Sequence, residues 1–248
     1  MDPVYLKKSK TGWLLFSLLF LLFAVIILVS RYESLIQKKM LRPPLAEYRM
    51  QLVKWFGFSE EDSLKEWEEK IFKNKVIYRI EKDKPLSYVR ATSKAAASAL
   101  YYKIKLDAKK KHPLVSWKWR VDNFPTKKLK ESLEAKNEDD FAARVYVIFP
   151  AAFFTNSKVL EYVWAETLPV GLAGTSPYSR NIKLIVAKSG LGKDKEWLEE
   201  DRDIVQDYIN VFGKSPEYDI GAVAFMTNAE HTGTSADATY DEIKLGYK

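Results

Sequence analysis

The sequence predicts an all-β domain, an antiparallel sandwich or barrel, with one covering α-helix and a transmembrane helix ahead of it. Three observations point there. Nine short runs of strand character recur after residue 75, separated by polar or Gly/Pro-bearing loops. One strong helical stripe, about residues 194–213, interrupts them. Near the amino terminus, GWLLFSLLFLLFAVIILVS (Gly12–Ser30) runs nineteen residues without a charge.

These features divide the chain into a basic tail (1–11), an anchor (12–30), a juxtamembrane amphipathic linker (31–58) and the sandwich (59–248). At 1.5 Å per residue the anchor forms a helix about 28 Å long, close to the hydrocarbon thickness of a bilayer. Lys7, Lys8 and Lys10 precede it, Trp13 opens it, and Arg31 and Tyr32 close it. That is the decoration expected at the two interfaces. The run exceeds a signal-peptide core and no Ala-x-Ala site follows, so an uncleaved single-pass anchor is expected. Basic residues stand on both sides, and counting them leaves the orientation open. In the linker, RPPLAEYRMQLVKWFGF (42–58) reads as a short helix begun near Pro44 and ended by Gly57. It would lie on the membrane surface or pack on the domain.

Charge supports this division. Of the net +7, residues 1–58 carry +6 and the remaining 190 carry +1. The excess therefore sits beside the anchor, where it meets anionic lipid, and a nucleic-acid partner is excluded. Without a cysteine there is no disulfide and no thiol chemistry.

The strand runs are 76–80, 86–92, 98–106, 114–121, 141–149, 159–166, 181–188, 220–227 and 238–245. SEEDSLKEWEEKIF is read as a helix capped by Ser59, partly strand. The stronger helix spans Asp194 to Gly213, with Trp197, Leu198, Val205, Tyr208, Ile209 and Phe212 on one stripe. Arg202 lies on that stripe and calls for a structural ion pair, because an unpaired buried guanidinium is costly.

Alternation then sorts side chains. In 141–149 the odd positions from Phe141 to Phe149 are apolar, and Arg144 and Tyr146 face the other way. In 114–121 Trp117 and Trp119 belong to the core face, with Lys118 and Arg120 opposite. Lys118, Arg120, Arg144 and Tyr146, joined by Tyr162 and Trp164, are thus the candidate ligand-binding residues of a solvated sheet face. Rings beside charged groups suit a sugar, whose apolar face stacks while its hydroxyls are bonded.

Five blocks carry a resemblance: WKWRVD (117–122), EDDFAARVYVIF (138–149), EYVWAE (161–166), WLEEDRDIVQDYINVFG (197–213) and GAVAFMTNAEHTGTSADATYDEIKL (221–245). Together they resemble the bacterial domain-of-unknown-function family 3047 over about residues 64–247. The resemblance implies a jelly-roll sandwich similar to carbohydrate-binding modules, an exported domain and no assigned activity. It tips the orientation towards an amino terminus inside and the domain outside. An acid-rich turn similar to Thr-Asp-x-Asp-Asn-Thr-Gly is replaced here by Thr227–Gly233, with Asn228, Glu230 and His231 at the altered places.

The remaining chemistry is sparse. Asp139 and Asp140 are weak calcium candidates, calcium being the only cofactor suggested; a solvated turn or an arginine pairing is the plainer reading. As neighbours on a strand they point to opposite faces, which suits no glycosidase pair. His112 lies in a lysine-rich turn, and His231 lacks the second His or Cys that a catalytic zinc requires. No nucleophile elbow, phosphate loop or dinucleotide fingerprint occurs. The expected function is a membrane-anchored, extracytoplasmic binding module for a glycan or another polar envelope component, in the plasma membrane. The alternatives are an accessory or scaffolding subunit of an envelope protein complex and, third, a glycan hydrolase.

Overall fold

The computed structural model describes residues 50–83, 86–191 and 196–248. The tail, the anchor and most of the linker lie outside these residues. Among the described residues no helix is long and apolar enough to cross a membrane. The domain consists of two layered sheets.

The first sheet has the order β11-β6-β13-β4-β3, with β1 also on β13. Its strands are β1 (Gln51–Phe56), β3 (Ile77–Asp83), β4 (Leu86–Lys94), β6 (Pro113–Asn123), β11 (Leu198–Asp203) and β13 (Ser235–Tyr247). The second has the order β2-β5-β12-β7-β8-β10-β9. It comprises β2 (Glu68–Lys73), β5 (Ala97–Leu106), β7 (Ala143–Phe149), β8 (Lys158–Ala165), β9 (Ala173–Ser176), β10 (Ser179–Ser189) and β12 (Ile220–Asn228). All pairings are antiparallel except β8 with β10, which run parallel, so the fold is not wholly antiparallel as expected.

All nine expected strands form, and four more join them. The long helix is a correction: among the described residues of 194–213 only Ile204–Phe212 (α1) is α-helical. Residues 198–203 are strand β11, because their backbone completes a ladder with Leu114–Trp119 of β6 and that pairing overrides the helical spacing. Asp203 caps α1 by accepting from the Gln206 N–H, and Gly213 closes it at φ 73°. Arg202 therefore lies on a strand. Its guanidinium grips Asp207 of α1 at 2.8 and 3.0 Å, and Tyr162 donates its hydroxyl to the same carboxylate.

The linker reading is corrected too. Residues 51–56 form no helix; they pair with the end of β13, and Phe56 enters the core against Trp67 and Tyr102. Exposed Leu52 and Trp55 on this edge strand mimicked an amphipathic helix. In the segment after Ser59, a 3-10 turn (Glu61–Glu66), capped from Glu60, precedes strand β2.

The core between the sheets is aromatic. Trp117 and Trp119 meet edge to face at 5.3 Å, Trp117 touches Tyr162, and Trp119 touches Trp164. Tyr162 and Trp164 are thus corrected from ligand candidates to core: both are buried, on the inward face of β8. Their Oη and Nε1 atoms find partners at the core margin, in Asp207 and the Gly190 carbonyl.

The connection between β6 and β7 (residues 124–142) determines where water reaches the second sheet. It lays Leu133 and Phe141 on the sheet's outer surface against Val163, Ala165, Leu184 and Val186. Glu131 pins it, accepting from the backbone of Glu166, Thr167 and Leu168 while pairing with Lys127. The outer face of this sheet is therefore partly interior.

Candidate functional site

The four outward-facing candidates do not form one platform. Lys118 and Arg120 stand on the outer face of the first sheet, Arg144 and Tyr146 on the outer face of the second, with the core between them. Each face has its own chemistry.

Beneath the 124–142 connection, Arg144 is 2% exposed. The expectation of a wet Arg144 is overturned, although strand alternation does turn it away from Val145. Its Nε donates to Asn228 Oδ1 at 2.8 Å, one Nη to Glu161 and the other to the Asp139 carbonyl, with Asp139 Oδ1 at 3.2 Å. Phe141 breaks the alternation. It precedes the strand proper, and its ring covers the guanidinium at 4.9 Å from the outer side. Tyr146 is half-buried, packed beside Met226, Ala97 and Ala99. Burial lifts Glu161 to about 7, with Asp139 adding to the rise and Arg144 opposing it.

Above this buried set, Asn228 ties three acids together. Its amide donates to the Asp139 carbonyl, to Asp140 Oδ1 and to Glu230 Oε2. Asp140, fully buried, also accepts from the Thr232 N–H at 2.7 Å. Burial pushes its carboxyl upward, but hydrogen bonds from Thr232, Glu230 and the His231 N–H outweigh this and hold it below the ordinary value. Glu230 moves the other way, raised by burial and by the neighbouring Asp140. His231 closes the cluster. Its Nδ1 stands 3.0 Å from Glu230 and 3.3 Å from Asp140, and Nε2 bonds the Tyr178 hydroxyl. Asp139 and Asp140 thus serve different partners. Asp139 is committed to Arg144, so the two do not form the joint calcium site suggested by their adjacency.

The first sheet's outer face is open and mixed in character. Tyr88 of β4 packs edge to face with Trp197 at 5.2 Å, and the Arg120 guanidinium lies over both rings at 5.7 and 5.3 Å. Arg120 pairs with Asp122, which also holds Arg90; Arg90 in turn pairs with Glu81. Trp197 is half-buried, so part of its indole meets solvent. Asp241, in register with Lys118, is 7% exposed, and its Oδ1 has no hydrogen-bond partner.

Sequence reasoning missed Glu161, Tyr178, Tyr88, Trp197 and Asp241, and it singled out Asn228 only as an altered place in the 227–233 turn. Glu161 carried a signal, a charge inside the apolar run VLEYVWA. Trp197 was assigned to the helical stripe, and Tyr178 had no local signal.

Two tests follow from this geometry. Arg144→Ala strands the buried Glu161 and Asp139 carboxylates and is expected to cost about 3–5 kcal/mol in denaturant unfolding. Arg144→Leu combined with Glu161→Leu should recover most of that loss; a double variant as unstable as Arg144→Ala would show that charge is not the cause. Burial also lifts the Asp241 carboxyl to about 6. The folded state therefore holds that proton more tightly than the unfolded chain, and the ionised group costs stability above this pH. Asp241→Asn is expected to add about 2 kcal/mol near pH 8 and almost nothing near pH 4. Melts across that range check it, and an equal gain at both ends would exclude the charge.

Comparison with known proteins adds a family. No curated protein is significantly similar in sequence. Among solved structures, the module TmCBM61, determined with β-1,4-galactotriose, is 12% identical at a TM-score of 0.41, covering 81% of this chain and 100% of that one. A family 11 carbohydrate-binding module of a Clostridium thermocellum cellulase is 11% identical (TM-score 0.38; 74% and 88% covered). The xylan-binding domain from Paenibacillus barcinonensis is 9% identical (TM-score 0.39; 82% and 97% covered). Similarities this low leave the chemistry of this chain to its own residues. The model described as "Protein of unknown function (DUF3047)" matches residues 65–244, and the chain belongs to that family.

Proposed function

We propose that the protein is a membrane-anchored binding module that holds a glycan on the outer face of its first sheet. The observation that carries this reading is the half-buried Trp197, backed by Tyr88 and Arg120, on a face also bearing Arg90, Glu81, Asp122 and Asp241. An indole with one free face stacks on the apolar side of a pyranose. Flanking guanidinium and carboxylate groups reach the ring hydroxyls as donors and acceptors. Lys118 and Arg120 keep the role expected of them, whereas Arg144 and Tyr146 are structural.

The uncharged run Gly12–Ser30 supports the anchor, and placement outside the cytoplasm follows the family resemblance. The absence of native cysteine makes topology directly testable. With Lys110→Cys in the exposed turn after β5, a membrane-impermeant maleimide is expected to label the chain on intact spheroplasts. Labelling only after lysis would reverse the orientation.

For the ligand, the detergent-solubilised full chain is screened against envelope and plant glycans. A hit is expected to weaken about tenfold, roughly 1.4 kcal/mol, in Trp197→Ala. Arg120→Ala should weaken it too, and His231→Ala should leave it unchanged. No binding at millimolar sugar, with proteins recovered by cross-linking through this face instead, would replace the glycan by a protein partner.

A further inference from the structure

From Asp140, Glu230 and His231 we infer a divalent-cation site at the end of the second sheet, built for a borderline metal such as Zn2+ or Mn2+ and separate from the sheet face proposed to hold a glycan. One ligand atom from each residue lies within 4.8 Å of the other two. His231 Nδ1 is 3.0 Å from Glu230 Oε1 and 3.3 Å from Asp140 Oδ1. Two ligand atoms bound to a common metal at about 2.1 Å stand roughly 3.0–3.4 Å apart in octahedral or tetrahedral geometry. The imidazole is therefore already at a coordination edge with both carboxylates.

The surroundings resemble a metal's supporting shell. The Tyr178 hydroxyl engages His231 Nε2, which orients the ring with Nδ1 towards the acids. Asp140 Oδ2 is fixed by the Thr232 N–H and Glu230 Oε2 by the Asn228 amide; Oε1 and Oδ1 stand on the His231 side, Oδ1 held there by the same Asn228 amide.

Charge is the independent argument. Arg144 answers Asp139 and Glu161, and Lys127 is committed to Glu131, so among the described residues only His231 stands at salt-bridge distance from Asp140 and Glu230, and the negative charge of that pair is in excess. A dication offsets that excess. One nitrogen with two carboxylate oxygens suits Zn2+ or Mn2+, whereas Ca2+ takes six to eight oxygens. His231 is exposed at the rim, so water completes the coordination.

The test uses the untagged full-length chain in detergent, stripped with chelator and titrated calorimetrically with Zn2+, Mn2+ and Ca2+. One Zn2+ or Mn2+ per chain is expected, with a raised melting temperature, and Co2+ should give a visible d–d spectrum. His231→Ala and Glu230→Gln are each expected to weaken binding at least tenfold while far-UV circular dichroism is retained. Tyr178→Phe should weaken it less, and Trp197→Ala not at all, which separates this site from the glycan reading. The site is overturned if no saturable binding occurs below millimolar metal, if Ca2+ alone binds, or if the His231 and Glu230 variants bind as the parent does.

Discussion

A guanidinium taken out of water has to find acceptors for its donors, and the architecture around the second sheet follows from how Arg144 meets that demand. Its acceptors come from three separated parts of the chain: Asp139 in the connection ahead of β7, Glu161 on β8 and Asn228 at the end of β12. No local segment can satisfy it. Forming the network therefore requires the 124–142 connection to be folded down, and Glu131 and Phe141 hold it there. A charge that would disrupt an apolar core instead sets the position of a long irregular segment.

The two outer faces diverge for this reason. On the second sheet the connection excludes water, and its polar side chains turn inward to one another. Beside this covered region the Glu230–His231–Tyr178 rim reaches solvent. On the first sheet no described segment covers β4, β13 and β6 in a comparable way. Its charges are paired laterally along the sheet, in the chain Glu81–Arg90–Asp122–Arg120, and the rings of Tyr88 and Trp197 gather at their centre. These ion pairs are partly buried, so screening by solvent is reduced but not removed.

Between the faces, the interlocked rings of Trp117, Trp119, Tyr162 and Trp164 give both outer surfaces a rigid base. The Arg202–Asp207–Tyr162 contact ties α1 to that base at the sandwich edge. Side chains that bind ligand precisely need such support, because their rotamers are then held by packing.

Much of the architecture was legible in the amino-acid order. Period-two alternation located nine strands and assigned Trp117, Trp119 and Val145 inward, with Lys118, Arg120 and Arg144 outward, because the pleat forces neighbours to opposite faces. Local order also marked Gly213 as a helix end. Tertiary structure decided what alternation cannot encode. An outward side chain is wet only if no other segment covers it, and the cover over Arg144 comes from residues outside its own strand. Likewise 198–203 carried helical spacing, yet the free edge of β6 claimed its backbone. The grouping of Asp140 with His231, ninety-one positions apart, arises only when β7 and β12 lie side by side. Short-range pattern specifies the direction of each side chain, and long-range pairing specifies what it meets.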